Sequence, residues 1–327
     1  MYKLVSLSCV LLLLLGGCTT TFKNLHIIPV TIDYQEVLWF AERANAAYDE
    51  PATIKEKFKN VIHVYDDPYK QIRFFVEEHA DKKLQLISVR GTDNLANVKQ
   101  DAEIIQIKDK NIGIYVHKGF DSDAQDILKE VRPLLKKNYA IKVTGHSLGA
   151  AIATILMIYL HNEGFDIQHS MNFGQPKFTT LAGAAKYNFL PLTRFVNRED
   201  VVPLVPPNIV VDDEHGIYVH FRPEVILLNQ EYFVYLDQHD ATQTVTSSFW
   251  DNLGHESLED HRMVNYIKHI KNKLKQQKQE IEGVHTGGGP SCTNQAQGRK
   301  TELPEHQHPV EEDVHAHTAH HDRRHRP

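Results

Sequence analysis

One short stretch constrains this chain more than any other. Ala140-Ile141-Lys142-Val143-Thr144 is β-prone and leads into Gly145-His146-Ser147-Leu148-Gly149, and Ala150-Ala151-Ile152-Ala153-Thr154-Ile155-Leu156 follows as an apolar helix former. A strand can turn into a helix within five residues only if the two backbones approach closely. The sharp turn therefore needs small residues at both ends. The turn lifts a serine hydroxyl to the helix N-terminus, where the dipole favours developing negative charge. G-x-S-x-G alone is common by chance; the strand before it and the helix behind it make it specific.

The rest of the pattern alternates in the same way. Asp33-Tyr34-Gln35-Glu36 reads as a capping box, and Val37, Phe40, Ala44, Ala47 and Tyr48 follow at helical spacing. Strands are expected at residues 61–65, 72–76 and 84–89, then a helix over 121–137 that Pro133 should break or kink. Strand 140–144, helix 147–160, strand 170–173 and strand 193–196 complete βαβ units, which imply a mainly parallel sheet flanked by helices. Residues 218–228 and 232–236 read as a hairpin, and 257–274 as a closing helix.

The two ends are different in kind. Lys3 precedes an apolar run over residues 4–15, too short to cross a bilayer of roughly 30 Å. The run closes on Leu15-Gly16-Gly17-Cys18, which resembles the bacterial lipoprotein box and implies lipidation of Cys18. Residues 1–17 are then a signal peptide and 18–29 a tether. Thr19, not Asp, follows the Cys, so the expected location is a lipid-anchored position at a bacterial outer membrane. Residues 30–275 form the folded domain. Residues 276–327 are polar, carry eight histidines and are expected to be a disordered tail. The His306/His308 and His315/His317 pairs and His320-His321 suit weak zinc, nickel or copper chelation, although a merely hydrophilic tail explains them too. Three cysteines exclude a disulfide framework, and a net charge of -6 gives no attraction for nucleic acid.

Beyond the elbow, further segments fall in a known order. Val143-Thr144-Gly145-His146-Ser147-Leu148-Gly149-Ala150-Ala151 resembles the class 3 lipases, a fungal-lipase type of α/β-hydrolase. Val89-Arg90-Gly91-Thr92 is similar to that family's oxyanion loop, and Val116-His117-Lys118-Gly119-Phe120 to the motif after its lid. Phe173-Gly174-Gln175-Pro176-Lys177 is similar to the strand-end segment after the elbow, and Asp200-Val201-Val202-Pro203 to the acid motif. The resemblance spans about residues 33–270. It implies an α/β-hydrolase fold and a serine carboxylester hydrolase of lipid acyl esters, lipase-like or phospholipase A1-like, with no cofactor. It also places a lid over residues 93–101, short and polar enough to argue against strong interfacial activation.

A serine nucleophile needs a base, and the base an orienting carboxylate. Asp200 lies beyond the predicted strand 193–196; Glu199 competes, with Asp212 and Asp213 behind. The base comes from His215, His220, His239, His255, His261 and His269. The resemblance favours His261, whose His261-Arg262-Met263-Val264-Asn265-Tyr266 is similar to the family's segment opening the last helix. His255 remains a competitor. His220 reads as a hairpin core residue and His146 as packing at the elbow. The oxyanion donors are the Leu148 N–H, just after the nucleophile, and the N–H of Thr92. The alternative is a non-enzymatic envelope lipoprotein, a metal-binding or scaffold protein on an inactive hydrolase fold, with the His-rich tail as its support.

Overall fold

The computed structural model describes residues 32–92, 105–206, 216–220, 223–228, 233–236 and 258–286. The signal peptide, Cys18, the tether, the expected lid, Asp212, Asp213, His215, His239, His255 and the tail beyond 286 lie outside the described residues.

Helix α1 (Tyr34–Ala46) starts where the capping pattern predicts, with the Asp33 carboxylate accepting from the Gln35 and Glu36 N–H groups at 2.9 and 3.2 Å. After a short α2 (Pro51–Lys57), the chain forms β1 (Val61–Asp67), β2 (Ile72–His79) and β3 (Leu84–Val89). A hairpin of β4 (Gln106–Asp109) and β5 (Ile114–His117) runs into α3 (Lys118–Val131). Then come β6 (Ala140–Gly145), α4 (Leu148–Asn162), β7 (Asp166–Ile167), β8 (Ser170–Phe173), β9 (Thr179–Thr180), α5 (Leu181–Tyr187) and β10 (Leu192–Asn197). The last elements are β11 (Tyr218–Val219), β12 (Glu224–Leu227), β13 (Phe233–Leu236) and α6 (Met263–Thr286).

The central sheet is parallel in the middle and antiparallel at both margins. β3–β6, β8–β10 and β10–β12 pair parallel, while β1–β2, β2–β3 and β12–β13 pair antiparallel. Strand β7 pairs only with the first residues of β6, at Ala140 and Ile141. Further along, hydroxyls of both strands link β6 to β8: the Ser170 hydroxyl accepts from Val143 N–H at 3.0 Å, and Thr144 donates to the Met171 carbonyl at 2.7 Å. Main-chain contact resumes at the strand ends, where Ser147 N–H donates to the Phe173 carbonyl at 3.0 Å.

Apolar residues cover both faces. Ile127, Leu128 and Val131 of α3 and most of α4 pack on one side; Val37, Phe40, Ala41 and Ala44 of α1 pack with Tyr266 and Ile270 of α6 on the other. All four residues of β8 are buried although Ser170 and Asn172 are polar, and Asn172 is satisfied by its bonds to α4.

Several expected boundaries move. The run over 218–228 is two strands, not one. β11 pairs with β9 in a small antiparallel sheet with β5 and β4, and only β12 forms the hairpin with β13. His220, buried and bonded to the Pro203 carbonyl at 2.7 Å, and Pro223, without an N–H, divide them. Helix α3 opens at Lys118 because the His117 ring accepts from the Phe120 N–H at 3.4 Å, and Pro133 ends it in a 3-10 turn, Arg132–Leu134. The closing helix starts at Met263 and runs to Thr286, past the expected domain boundary at 275. Its Gln-Gln-Lys-Gln-Glu-Ile-Glu stretch is polar but made of strong helix formers, and the glycine run 287–289 follows its end. The β4–β5 hairpin has no counterpart among the expected strands; its turn is set by Asp109, which accepts from the Asn111 and Ile112 N–H groups at 2.8 Å, and by Gly113, with φ +67.

Burial pushes the Asp123 carboxyl of α3 up to about 6, with Asp126 adding repulsion. A carboxyl raised in the folded state binds more protons there than in the unfolded chain, so stability falls as pH rises from about 4 through about 6. Asp123→Asn is therefore expected to stabilise the protein by about 1–2 kcal/mol at pH 7.5. The gain should be much smaller at pH 4.5. Urea midpoints at the two pH values check this; an equal gain at both would contradict it.

Candidate active site

The site sits at the C-terminal ends of the parallel strands, and the elbow between β6 and α4 is its centre. Ser147 adopts φ 57, ψ -134, a strained conformation for a residue with a side chain. Both flanking glycines are required by contact. A Cβ on Gly145 would collide with the Gly149 backbone; one on Gly149 would lie 2.6 Å from the Arg90 carbonyl carbon. The N-terminal turn of α4 is held to β8 by Asn172, whose amide donates to the Ala150 carbonyl and to the Thr154 hydroxyl, both at 2.9 Å. The Ser147 hydroxyl is buried with no hydrogen-bond partner among the described residues.

Asp200 lies in the turn after β10, where its N–H donates to the Asn197 carbonyl at 3.0 Å. The carboxylate meets His261, which precedes α6, across 61 residues of chain. The His261 Nδ1–H lies 2.8 Å from Oδ2 and 3.0 Å from Oδ1 of Asp200. Asp200 also accepts from the Tyr266 hydroxyl at 2.5 Å and from the Val202 N–H at 2.9 Å. The Tyr266 hydroxyl is held well above its ordinary range, by burial first and by the Asp200 charge second, so it stays protonated and donates. His261 is 0% exposed and Asp200 4%. With Nδ1 engaged, the His261 Nε2 has no partner among the described residues and is available as an acceptor.

Gly174 explains why the segment after β8 is narrow. It has φ +55, and a Cβ there would stand 2.8 Å from His261 Cε1 and 2.9 Å from Asp200 Oδ2. Gly91 plays a comparable part in the loop after β3. A Cβ on it would lie 2.5 Å from the His146 carbonyl oxygen and 3.0 Å from Ser147 Cβ. Thr92 is thus one residue beyond a backbone that touches the elbow, and Leu148 is the first residue of α4, among the N–H groups that have no partner within the helix.

The competitors fall elsewhere. Glu199 is exposed and pairs with Arg198 at 3.1 Å. His269 bonds to the Asn197 side chain at 2.9 Å, and His220 faces the Pro203 carbonyl. Tyr266 and Gly174 stand inside the quoted motifs, but the sequence assigns them no contact. Tyr48, whose hydroxyl lies 2.8 Å from His146 Nδ1, gives no sequence signal at all, because a tyrosine ending an amphipathic helix reads as core. Among the described residues, no group of three or more His, Cys, Asp or Glu side chains is placed to hold a metal ion.

Residues 86–210 match the family model of the class 3 lipases. That segment holds Gly91, the elbow and Asp200 and ends before His261. Curated relatives are secreted mono- and diacylglycerol lipase 1 of Fusarium solani, 27% identical over 49% of this chain and 50% of its own length, and a lipase of Rhizomucor miehei, 30% identical over 38% of each. Diacylglycerol lipase-alpha of Homo sapiens is 28% identical over 43% of this chain and 15% of that protein. The chain thus spans half or less of the length of these relatives. Among solved structures, Lip2 lipase from Yarrowia lipolytica superposes with TM-score 0.56 at 21% identity, covering 70% of this chain and 93% of that one. The lipase from Rhizopus microsporus var. chinensis gives TM-score 0.57 at 20% identity, over 72% and 88%. This chain shares their α/β-hydrolase fold.

Proposed function

We propose that the chain is a serine carboxylester hydrolase of lipid acyl esters, with Ser147 as nucleophile, His261 as base and Asp200 as orienting carboxylate. The observation that carries the reading is the two-oxygen bond from Asp200 to His261 Nδ1, next to a serine on a strained strand-to-helix turn. The bond keeps the proton on Nδ1, so Nε2 can take one. Ser147 Oγ attacks the ester carbonyl carbon as its proton passes to His261 Nε2. The carbonyl oxygen becomes an oxyanion, held by the Thr92 and Leu148 N–H groups, each worth about 3 kcal/mol in comparable sites. The bond to the leaving alcohol breaks as His261 returns the proton to it. Water, deprotonated by His261, then attacks the acyl-serine and releases the acid and Ser147. The substrate class is acylglycerols, since curated relatives are named as mono- and diacylglycerol or diacylglycerol lipases.

An acyl anchor at Cys18 fits this reading. The described chain begins at Ile32, whose carbonyl accepts from Gln277 far along α6. Helix α1, with 13 residues, spans about 20 Å from there to the end that carries Tyr48 beside the elbow. The chain therefore enters the described domain at the end of α1 away from the site.

One experiment covers both parts. Wild type and Cys18→Ser are expressed in bacteria, partitioned in detergent, and assayed on mono-, di- and triacylglycerols, phosphatidylcholine and short soluble esters. Wild type should enter the detergent phase and turn over acylglycerols faster than phosphatidylcholine; Cys18→Ser should stay aqueous with the same preference. No turnover of any ester would favour the non-enzymatic scaffold, and detergent partition of Cys18→Ser would remove the anchor.

A further inference from the structure

His261 stands in a non-helical segment before α6, so helical hydrogen bonds do not fix its backbone. Side chains from other elements hold two of the peptide carbonyls there. Asn197 Nδ2 donates to the Asp260 carbonyl at 2.9 Å, and His146 Nε2 lies 2.6 Å from the carbonyl of His261 itself. A carbonyl only accepts, so His146 Nε2 carries a proton. His146 is buried and held neutral, its titration pushed well below the ordinary histidine range by burial first and by His261 second. A neutral imidazole with its proton on Nε2 has a lone pair on Nδ1, and Tyr48 donates its hydroxyl to that lone pair at 2.8 Å. The two rings also lie against each other, with centroids 4.4 Å apart and 32° between planes. The Tyr48 hydroxyl in turn abuts Gly91 of the loop after β3.

We propose that His146 is the positioning residue for the base. It fixes the His261 backbone through the carbonyl and, through Tyr48, ties that backbone to the loop that brings in Thr92. The Tyr48 bond selects the His146 tautomer that can donate to His261, so the hydroxyl acts on the base at one remove. The proposal deepens the serine hydrolase reading and rests on it for its kinetic consequences.

The test uses the full chain and three variants, His146→Leu, His146→Gln and Tyr48→Phe. Two readouts are taken: kcat and KM on a short soluble ester, and the downfield NMR resonance of the His261 Nδ1 proton. His146→Leu should lower kcat by about 10²-fold, since misplacing a reacting group by an ångström costs that much. KM should change little, and the Nδ1 resonance should move or broaden away. His146→Gln, whose amide can donate to the same carbonyl, should recover most of the lost kcat and return the resonance. Tyr48→Phe should lower kcat several-fold and shift the resonance the same way. Wild-type kcat and an unmoved resonance in His146→Leu would overturn the proposal. If that variant does not fold, unchanged kcat and resonance in Tyr48→Phe overturn it instead. A wild type that shows the Nδ1 resonance, sensitive to these substitutions, but turns over no ester would fail the hydrolase reading and leave the positioning role standing.

Discussion

Ser147→Ala should lower kcat by roughly 10⁶-fold, the scale seen when the nucleophile of a coupled serine triad is removed. It should also abolish labelling by a fluorophosphonate. The loss is expected to be this large because the elbow offers no substitute. The neighbouring residues at the turn are Gly145, His146, Leu148 and Gly149, and His146 already uses both ring nitrogens in hydrogen bonds. Folding should not suffer. The hydroxyl is buried with no partner among the described residues, so its removal costs no hydrogen bond there. The φ of 57 is as strained for alanine as for serine. A thermal midpoint within a few degrees of wild type, with labelling gone, is the expected pair of results. Labelling that persists in the variant would remove Ser147 from the nucleophile's role.

Asp200→Asn comes next, at about 10⁴-fold in kcat. Asp200 accepts from three donors, the His261 Nδ1–H, the Tyr266 O–H and the Val202 N–H. Asparagine offers one acceptor oxygen and an N–H₂ that donates. Wherever the N–H₂ points, it meets a donor. If it faces His261, the imidazole must accept at Nδ1 and carry its proton on Nε2, where it can no longer take one from Ser147. Glu199→Gln is the control. Glu199 is exposed and, among the described residues, pairs with Arg198, so kcat should stay within about twofold. Steady-state kinetics on a soluble ester distinguish the two. Near-wild-type kcat in Asp200→Asn, or an equal loss in Glu199→Gln, would assign the orienting carboxylate elsewhere.

The fold was legible where the cause is local. Asp33 caps α1 as its motif predicts, because an N-cap needs only a side-chain oxygen and two N–H groups close in sequence. Pro133 ends α3 because a proline lacks the N–H that the next turn requires. Boundaries failed where the cause is distant. Residues 218–228 look like one strand, yet β11 and β12 have partners in different sheets, and partner choice leaves no mark on hydrophobic alternation. The extension of α6 through a polar stretch to Thr286 hides behind a composition that reads equally well as helix or as tail.

The same division runs through the site. The elbow is written in five residues, because its two glycines and its serine are dictated by the close approach of two consecutive elements. The chain could also name Asp200 and His261 as carboxylate and imidazole, but it ranked four acids by a predicted strand end and six histidines by resemblance alone. Their meeting depends on β10 and α6 packing side by side, which is a property of the whole sheet. Tyr266 on the carboxylate, Gly174 under the imidazole, and Tyr48 and His146 behind the His261 carbonyl come from four separate parts of the chain. What the sequence determined by itself was the turn that presents the Ser147 hydroxyl, since its geometry is set within one strand, one turn and one helix. Which groups surround Ser147, and which partner each imidazole nitrogen finds, only the tertiary structure decided, because those hydrogen bonds join residues 61 to 115 positions apart.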